Sequence, residues 1–242
     1  MKKYFSCLVV SALVTSLAVG ADEYQFDVSG SIDRTNSDYF SDDTGVGIGI
    51  QFHFVPVDTS KGPLAEAAFI NKSSNIYAVQ YSHDLPDSDF TLLGGEVYIP
   101  NTMFYLGMDY AYFPGTGGET AWGIKAGVTP IDGLLVTTSF YEDVDYEPNL
   151  TAKYLLPLNN GNTLVLNGNF EQSDDFGDTV RAGLDYYFSR NTGLGFNITD
   201  FDGNQENEIH ITHFFTEDAY AGLSYADDDF SDTISVSGGF RF

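Results

Sequence analysis

The residues able to do acid–base or metal chemistry in this chain are few and badly spaced for it. Of its four histidines, His210 and His213 stand three apart, which in a β-strand puts them on opposite faces, so they cannot share a metal. Asp200-Phe201-Asp202-Gly203-Asn204 carries a fragment of calcium-loop spacing without the regular ligands or the closing glutamate, and reads as an acidic solvated loop. No G-x-S-x-G, H-E-x-x-H, P-loop or dinucleotide fingerprint is present, so neither an enzyme nor a cofactor is indicated. What does recur is a polar or charged side chain at every second position, opposite an apolar one. On that parity Asp27, Gln51, His53, Gln80, Glu96, Asp109, Lys125, Lys153, Asn167, Asn169, Arg181, Asp185, Asn197, His210 and Arg241 share one face. If the strands that carry them close around water, these residues line a lumen and set its field.

Two arrangements of the charges are open. Lys125, Lys153 and Arg181 fall in alternate strands and could form one basic wall, with Glu96 and Asp109 in neighbouring strands as an acidic wall facing it. A transverse field of that kind orients polar solutes without a tight site. Alternatively the charges pair with one another to limit desolvation, and some plug a narrow barrel. Gly45, Gly47 and Gly49 all point inward on one strand. They either make room for another segment or let the barrel curve.

The elements that must position these residues are strands. Val46, Ile48, Ile50, Phe52 and Phe54 alternate with Gly45, Gly47, Gly49, Gln51 and His53; Phe104, Leu106, Met108, Tyr110 and Tyr112 alternate with Tyr105, Gly107 and Asp109. Similar apolar stripes include Tyr24-Phe26-Val28-Ile32, Tyr77-Val79-Tyr81 and Trp122-Ile124-Ala126-Val128. No sustained 3.6-residue period appears between residues 75 and 242. The connections alternate in kind. One set is acidic, at 34–44, 83–89, 142–148, 171–178, 200–208 and 227–232, with a milder member at 114–119. The other is short, at 100–101, 129–133, 157–161, 189–191 and 216–218. Long polar loops at one end and tight turns at the other, joined by strands of about 9–11 residues, describe an antiparallel transmembrane β-barrel of the outer membrane. The stretch 55–74 breaks the rhythm. Pro63 suits a first helical turn, and Leu64, Ala65, Ala68 and Phe69 share one helical face, so the segment reads as a linker at the periplasmic side with a helical turn, tucked into the barrel mouth. That gives about fourteen strands; sixteen is the alternative if 55–74 pairs as a strand. The terminal strand should pair with residues 24–34 and close the barrel.

Residues 1–21 read as a cleaved secretory signal: Lys2 and Lys3, an apolar run Leu8–Val19, then small residues. The one cysteine, Cys7, lies inside it. Residues 22–242 read as a single domain. Without Lys2 and Lys3 the ten basic residues become eight against 35 acidic ones, a net charge of −27. Such a chain repels nucleic acid, while 20 Phe and 16 Tyr exclude disorder. A Ser–His hydrolase of an outer-membrane barrel needs its pair near the outer rim; His213, the histidine on an apolar face, falls at the other end.

Ser60-Lys61-Gly62-Pro63-Leu64-Ala65-Glu66-Ala67-Ala68-Phe69-Ile70, following Phe52-His53-Phe54, resembles a segment of the general porins of Gram-negative bacteria, as does the stretch Ala21 to Val28. The resemblance implies a porin: a water-filled channel for passive diffusion of small hydrophilic solutes and ions, with outer-membrane lipid and lipopolysaccharide around it and a homotrimer as one assembly. Acidic loops and entry would favour cations. The competing expectation is a closed structural or surface-interaction barrel whose acidic loops meet lipopolysaccharide-bridging cations, phage or host. The ending SVSGGFRF is similar to the signal read by the barrel-assembly machinery, with Phe240 and Phe242 as its aromatics and Ser237 where a glycine commonly stands.

Overall fold

The computed structural model describes residues 22–37, 41–84, 89–114, 118–142, 149–172 and 177–242. Residues 1–21, expected to be a signal, and parts of the acidic connections at 34–44, 83–89, 114–119, 142–148 and 171–178, lie outside the described residues. Fourteen strands form one closed antiparallel sheet: β1 Glu23–Ser37, β2 Asp43–Asp58, β3 Asn75–His83, β4 Phe90–Tyr98, β5 Phe104–Phe113, β6 Glu119–Val128, β7 Leu134–Tyr141, β8 Asn149–Pro157, β9 Thr163–Glu171, β10 Thr179–Tyr187, β11 Thr192–Phe201, β12 Asn204–Phe214, β13 Ala219–Asp227 and β14 Ser231–Arg241. Each strand pairs with its sequence neighbours. β14 closes on β1 in an unbroken register from Asp27↔Arg241 to Ser37↔Ser231, so no edge remains.

The outer surface carries the alternating stripes: Ile48, Ile50, Leu106, Met108, Ile234 and Val236 are all exposed. A water-facing sheet would not place such residues there, but hydrocarbon accepts them. An even strand number leaves both ends of the sheet at the same rim, the terminal end. There Phe242 stacks on Phe26 with ring centroids 5.6 Å apart, and Phe26 packs on Phe52 at 4.8 Å. Aromatics of this kind form the interfacial girdle of membrane barrels.

Two sequence-based faces are reversed. Tyr77, Val79 and Tyr81, expected outside, point inward, and Gln80 points outward, where its amide oxygen accepts a hydrogen bond from Thr91 at 2.5 Å. The register fixes this, since Gln80 lies opposite Ile48 and Tyr81 opposite Gly47. With Tyr, Val and Tyr on one face and Ile and Ala on the other, β3 has no polarity contrast to read; what decides it is that the phenols find carboxylate partners inside. Tyr24 also turns inward, because the β1–β2 register shifts between Tyr24 and Phe26. The acidic connection expected at 200–208 is mostly strand: β11 and β12 meet in a two-residue turn, Asp202-Gly203, both with positive φ, and the Gly203 amide donates to Asp200 at 3.1 Å.

Residues 59–74 enter the lumen as a plug. A 3-10 turn, Leu64–Glu66, runs into one helical turn, α1 (Ala67–Ile70). The expectation that one helical face would pack is too narrow. Ala67 and Ala68 meet Tyr24 and Val57 on β1 and β2, while Ala65, Phe69 and Ile70 meet Leu155, Val165 and Tyr187 on β8–β10. A segment crossing a barrel touches wall on both sides, and Leu64, Ala67, Val57 and Val165 are fully buried as a result. These small clusters are the only hydrophobic cores among the described residues.

Candidate functional site: the barrel interior

The interior wall is built by side chains that reach across glycines. Tyr81 on β3 lies over Gly45 and Gly47 of β2 and donates its hydroxyl to Asp33 on β1. Tyr77, also on β3, crosses Gly94 of β4 to Asp109 on β5. His210 on β12 crosses Gly195 of β11 to Asp185 on β10, 2.7 Å away. Tyr220 on β13 crosses Gly239 of β14 to Asp27 on β1, 3.1 Å away. The repeated logic is an inward glycine leaving a saddle one strand wide, over which a long side chain satisfies its polar end two strands away. Gly45 and Gly47 therefore make room for Tyr81, a Cβ on Gly47 standing 2.8 Å from its ring, whereas the third inward glycine, Gly49, faces the Ser29 hydroxyl instead.

The charges are distributed by pairing with near neighbours, which replaces the two opposed walls. Lys125 reaches Asp109 on the adjacent strand at 2.7 Å. Lys153 reaches Glu66 in the plug at 2.7 Å and stands 4.8 Å from the centre of the Phe69 ring. Arg181 donates to Thr199 at 3.1 Å and sits two residues nearer the loop end than Lys153, since Arg181 pairs with Asn169 and Lys153 with Asn167. These three cations do not form one wall. Glu96 lies between Asn75 of β3 and Gly107 of β5 in the register. Asn167 donates to Asp185 at 3.0 Å, Asn169 to Thr151 at 3.0 Å and Asn197 to Glu208 at 3.3 Å. His210 bridges Asp185 and Glu208, with the second contact at 3.2 Å.

His53 is buried, its Nδ1 2.8 Å from the Ser73 hydroxyl and its ring edge-on to Tyr24. It sits in the floor against the plug's exit. Asp27 and Gln51 face each other across β1 and β2. With Ser29, Tyr77, Tyr220 and Arg241 they border a cavity of about 380 Å³ on the Arg241 side of the plug. A second cavity of about 380 Å³ lies against Phe69 and Ile70, bordered by Lys72, Tyr98, Thr129 and Leu155.

The plug is fixed at several points. Glu66 pairs with Lys153 and accepts the Tyr187 hydroxyl at 3.1 Å. The Leu64 amide donates to the Arg190 carbonyl at 2.9 Å. The Arg190 guanidinium donates to Thr59 O at 2.5 Å and to Glu217 at 2.9 Å. On the far side Arg241 donates from Nη1 to Leu64 O at 2.8 Å. Glu66, Tyr187, Tyr77 and Tyr81 were not among the expected interior residues. The legible signal was an inward glycine beside a tyrosine-rich strand, since a buried phenol needs a partner.

No curated protein sequence matches the chain. Among solved structures it is similar to the outer membrane protein Omp33 of Acinetobacter baumannii: TM-score 0.79, 21% identity, covering 91% of this chain and 99% of that one. It is also similar to a mutant of the Rh. blastica porin: TM-score 0.51, 12% identity, covering 90% and 99%. At these identities both likenesses speak to the fold. The family model described as putative general bacterial porin matches residues 1–128 and 126–242. The matches together span the sequence, so the chain belongs to this family of porins.

Proposed function

We propose that this outer-membrane porin is a passive diffusion channel for small hydrophilic solutes that prefers cations. The observation that supports this is the charge inventory of the interior. Lys125, Lys153 and Arg241 are each neutralised by a carboxylate within 2.8 Å and Arg181 bonds a threonine hydroxyl. By contrast, Asp33 is held by a tyrosine hydroxyl, Asp185 and Glu208 share the single His210, and Glu96 adds one more carboxylate on the inner face. The remaining field is negative, and in a confined pore it concentrates cations and repels anions. Asp27, Gln51, Glu96, Asp109, Lys125 and Arg181 are the pore-lining residues in this reading. Phe240 and Phe242, both exposed on the outer face, serve as the signal for the barrel-assembly machinery, and residues 1–21 serve as the export signal. Lipopolysaccharide and outer-membrane lipid cover the apolar belt.

The plug, buried against both walls, favours a second reading: a closed structural or surface-interaction barrel. Purified protein in a planar bilayer separates the two. Stepwise conductance in a KCl gradient, with a reversal potential on the K⁺ side, is the expected result. Many insertions without conductance would establish the closed barrel, and a reversal potential on the Cl⁻ side would refute the cation preference.

A further inference from the structure

The penultimate residue makes contacts that the terminal strand does not need for its own ladder. The Arg241 side chain, 9% exposed, points into the lumen between Phe240 and Phe242, which point out. Its guanidinium carbon lies 4.7 Å from the Tyr24 ring centre, 4.6 Å from that of Phe214 and 5.2 Å from that of Tyr220. Nε donates to Asp27 at 2.8 Å and Nη1 to the Leu64 carbonyl at 2.8 Å. The aromatic cage thus holds a planar fork with one prong on β1 and the other on the first residue of the plug's 3-10 turn. Asp27 is also the first residue of the β1–β14 register, opposite Arg241 itself.

We infer that Arg241 is the positioning residue that seats the plug, so that residues 64–70 dock only on a barrel whose first and last strands have paired. The physical reason is the geometry of the fork. Before β14 closes on β1, Asp27 is not beside Arg241, and a guanidinium without its carboxylate has no fixed direction in which to offer Nη1 to Leu64. Once the pair forms, the three rings confine the plane and the second donor is pre-aimed. Closure at one rim is thereby reported to a segment far earlier in the sequence, and the plug becomes the last element placed. Its docked position also borders the cavity beside Phe69 and Ile70, which deepens the channel reading above and rests on it for that consequence alone.

The test uses the full-length protein folded in detergent, with Arg241→Gln and Arg241→Lys. Lysine retains a charge opposite Asp27 but cannot fork to both acceptors. Barrel closure is read by the heat-modifiable gel shift. Plug docking is read by trypsin cleavage after Lys61 or Lys72, identified by fragment mass, and channel cross-section by single-channel conductance. Both variants should keep the gel shift, while cleavage in the plug rises about tenfold to a hundredfold, the range a charge-assisted hydrogen bond is worth, and conductance rises with it. A plug as protected as wild type in either closed variant overturns the inference. So does failure of both variants to close, which would make Arg241 a closure residue. Absence of conductance in every form counts against the channel reading instead, because cleavage is measured without it.

Discussion

Gly94→Ala tests the glycine saddles directly. Gly94 has no positive φ, so its backbone tolerates alanine, and its role is space. A Cβ there would lie 2.5 Å from the Tyr77 hydroxyl oxygen and 2.7 Å from Asp109 Oδ1, well inside ordinary van der Waals contact. The strand cannot shift without breaking both ladders, so the Tyr77 ring must leave the saddle. That removes its hydrogen bond to the Asp109 carboxylate, worth about 1.5–3 kcal/mol, and is offset by the roughly 0.5–1 kcal/mol that alanine gains over glycine in a strand. The net expectation is destabilisation of about 1–2 kcal/mol. Gly168→Ala is the internal reference, since nothing lies within 4 Å of its added carbon, and should be neutral or slightly stabilising. Urea titration in lipid vesicles, followed by fluorescence of Trp122, the one tryptophan, measures both. In a Tyr77→Ala background the cost of Gly94→Ala should vanish, giving a coupling of about 1–3 kcal/mol. If Gly94→Ala is as benign as Gly168→Ala, or costs the same with and without the tyrosine ring, the saddle account is wrong.

Lys125→Gln leaves Asp109 without its cation. One charge acting about 6 Å away in a water-like medium changes the K⁺-to-Cl⁻ occupancy ratio on the order of threefold or more, measured as a reversal-potential shift towards K⁺ at low salt. At about 1 M KCl the shift should largely disappear, because the screening length falls to about 3 Å. Glu66→Gln has the opposite sign: it releases Lys153 from its carboxylate, so selectivity moves towards Cl⁻, and a shift towards K⁺ would show that the pair is not made. Phe242→Ser removes the ring stacked on Phe26 at the closing rim. The amount of heat-modifiable barrel in outer membranes should fall severalfold, while the conductance of the barrels that do form stays near wild type; normal barrel levels would remove Phe242 from the assembly signal.

The architecture is legible in the chain alone. Strict alternation across so many segments, with acidic and tight connections in turn, leaves little but a closed membrane barrel. The odd stretch 55–74 left fourteen or sixteen strands open; residues 55–58 finish β2 and 59–74 pass into the lumen, which decides for fourteen. Alternation also set the orientation of Asp27, Asp109, Lys125 and Asp185, because each stands opposite clear apolar partners. It failed at β3, where both faces carry apolar residues and the inward choice depends on Asp33 and Asp109 two strands away. It failed at Tyr24, where a register shift turns the side chain over. It could not assign Lys125, Lys153 and Arg181 to a wall, because which carboxylate each one meets depends on inter-strand register and on the plug, and neither is encoded locally. Arg241 shows the division most plainly. Its parity was legible from one strand, but the fork that joins Asp27 to Leu64 exists only once residues 27, 64 and 241 share one rim.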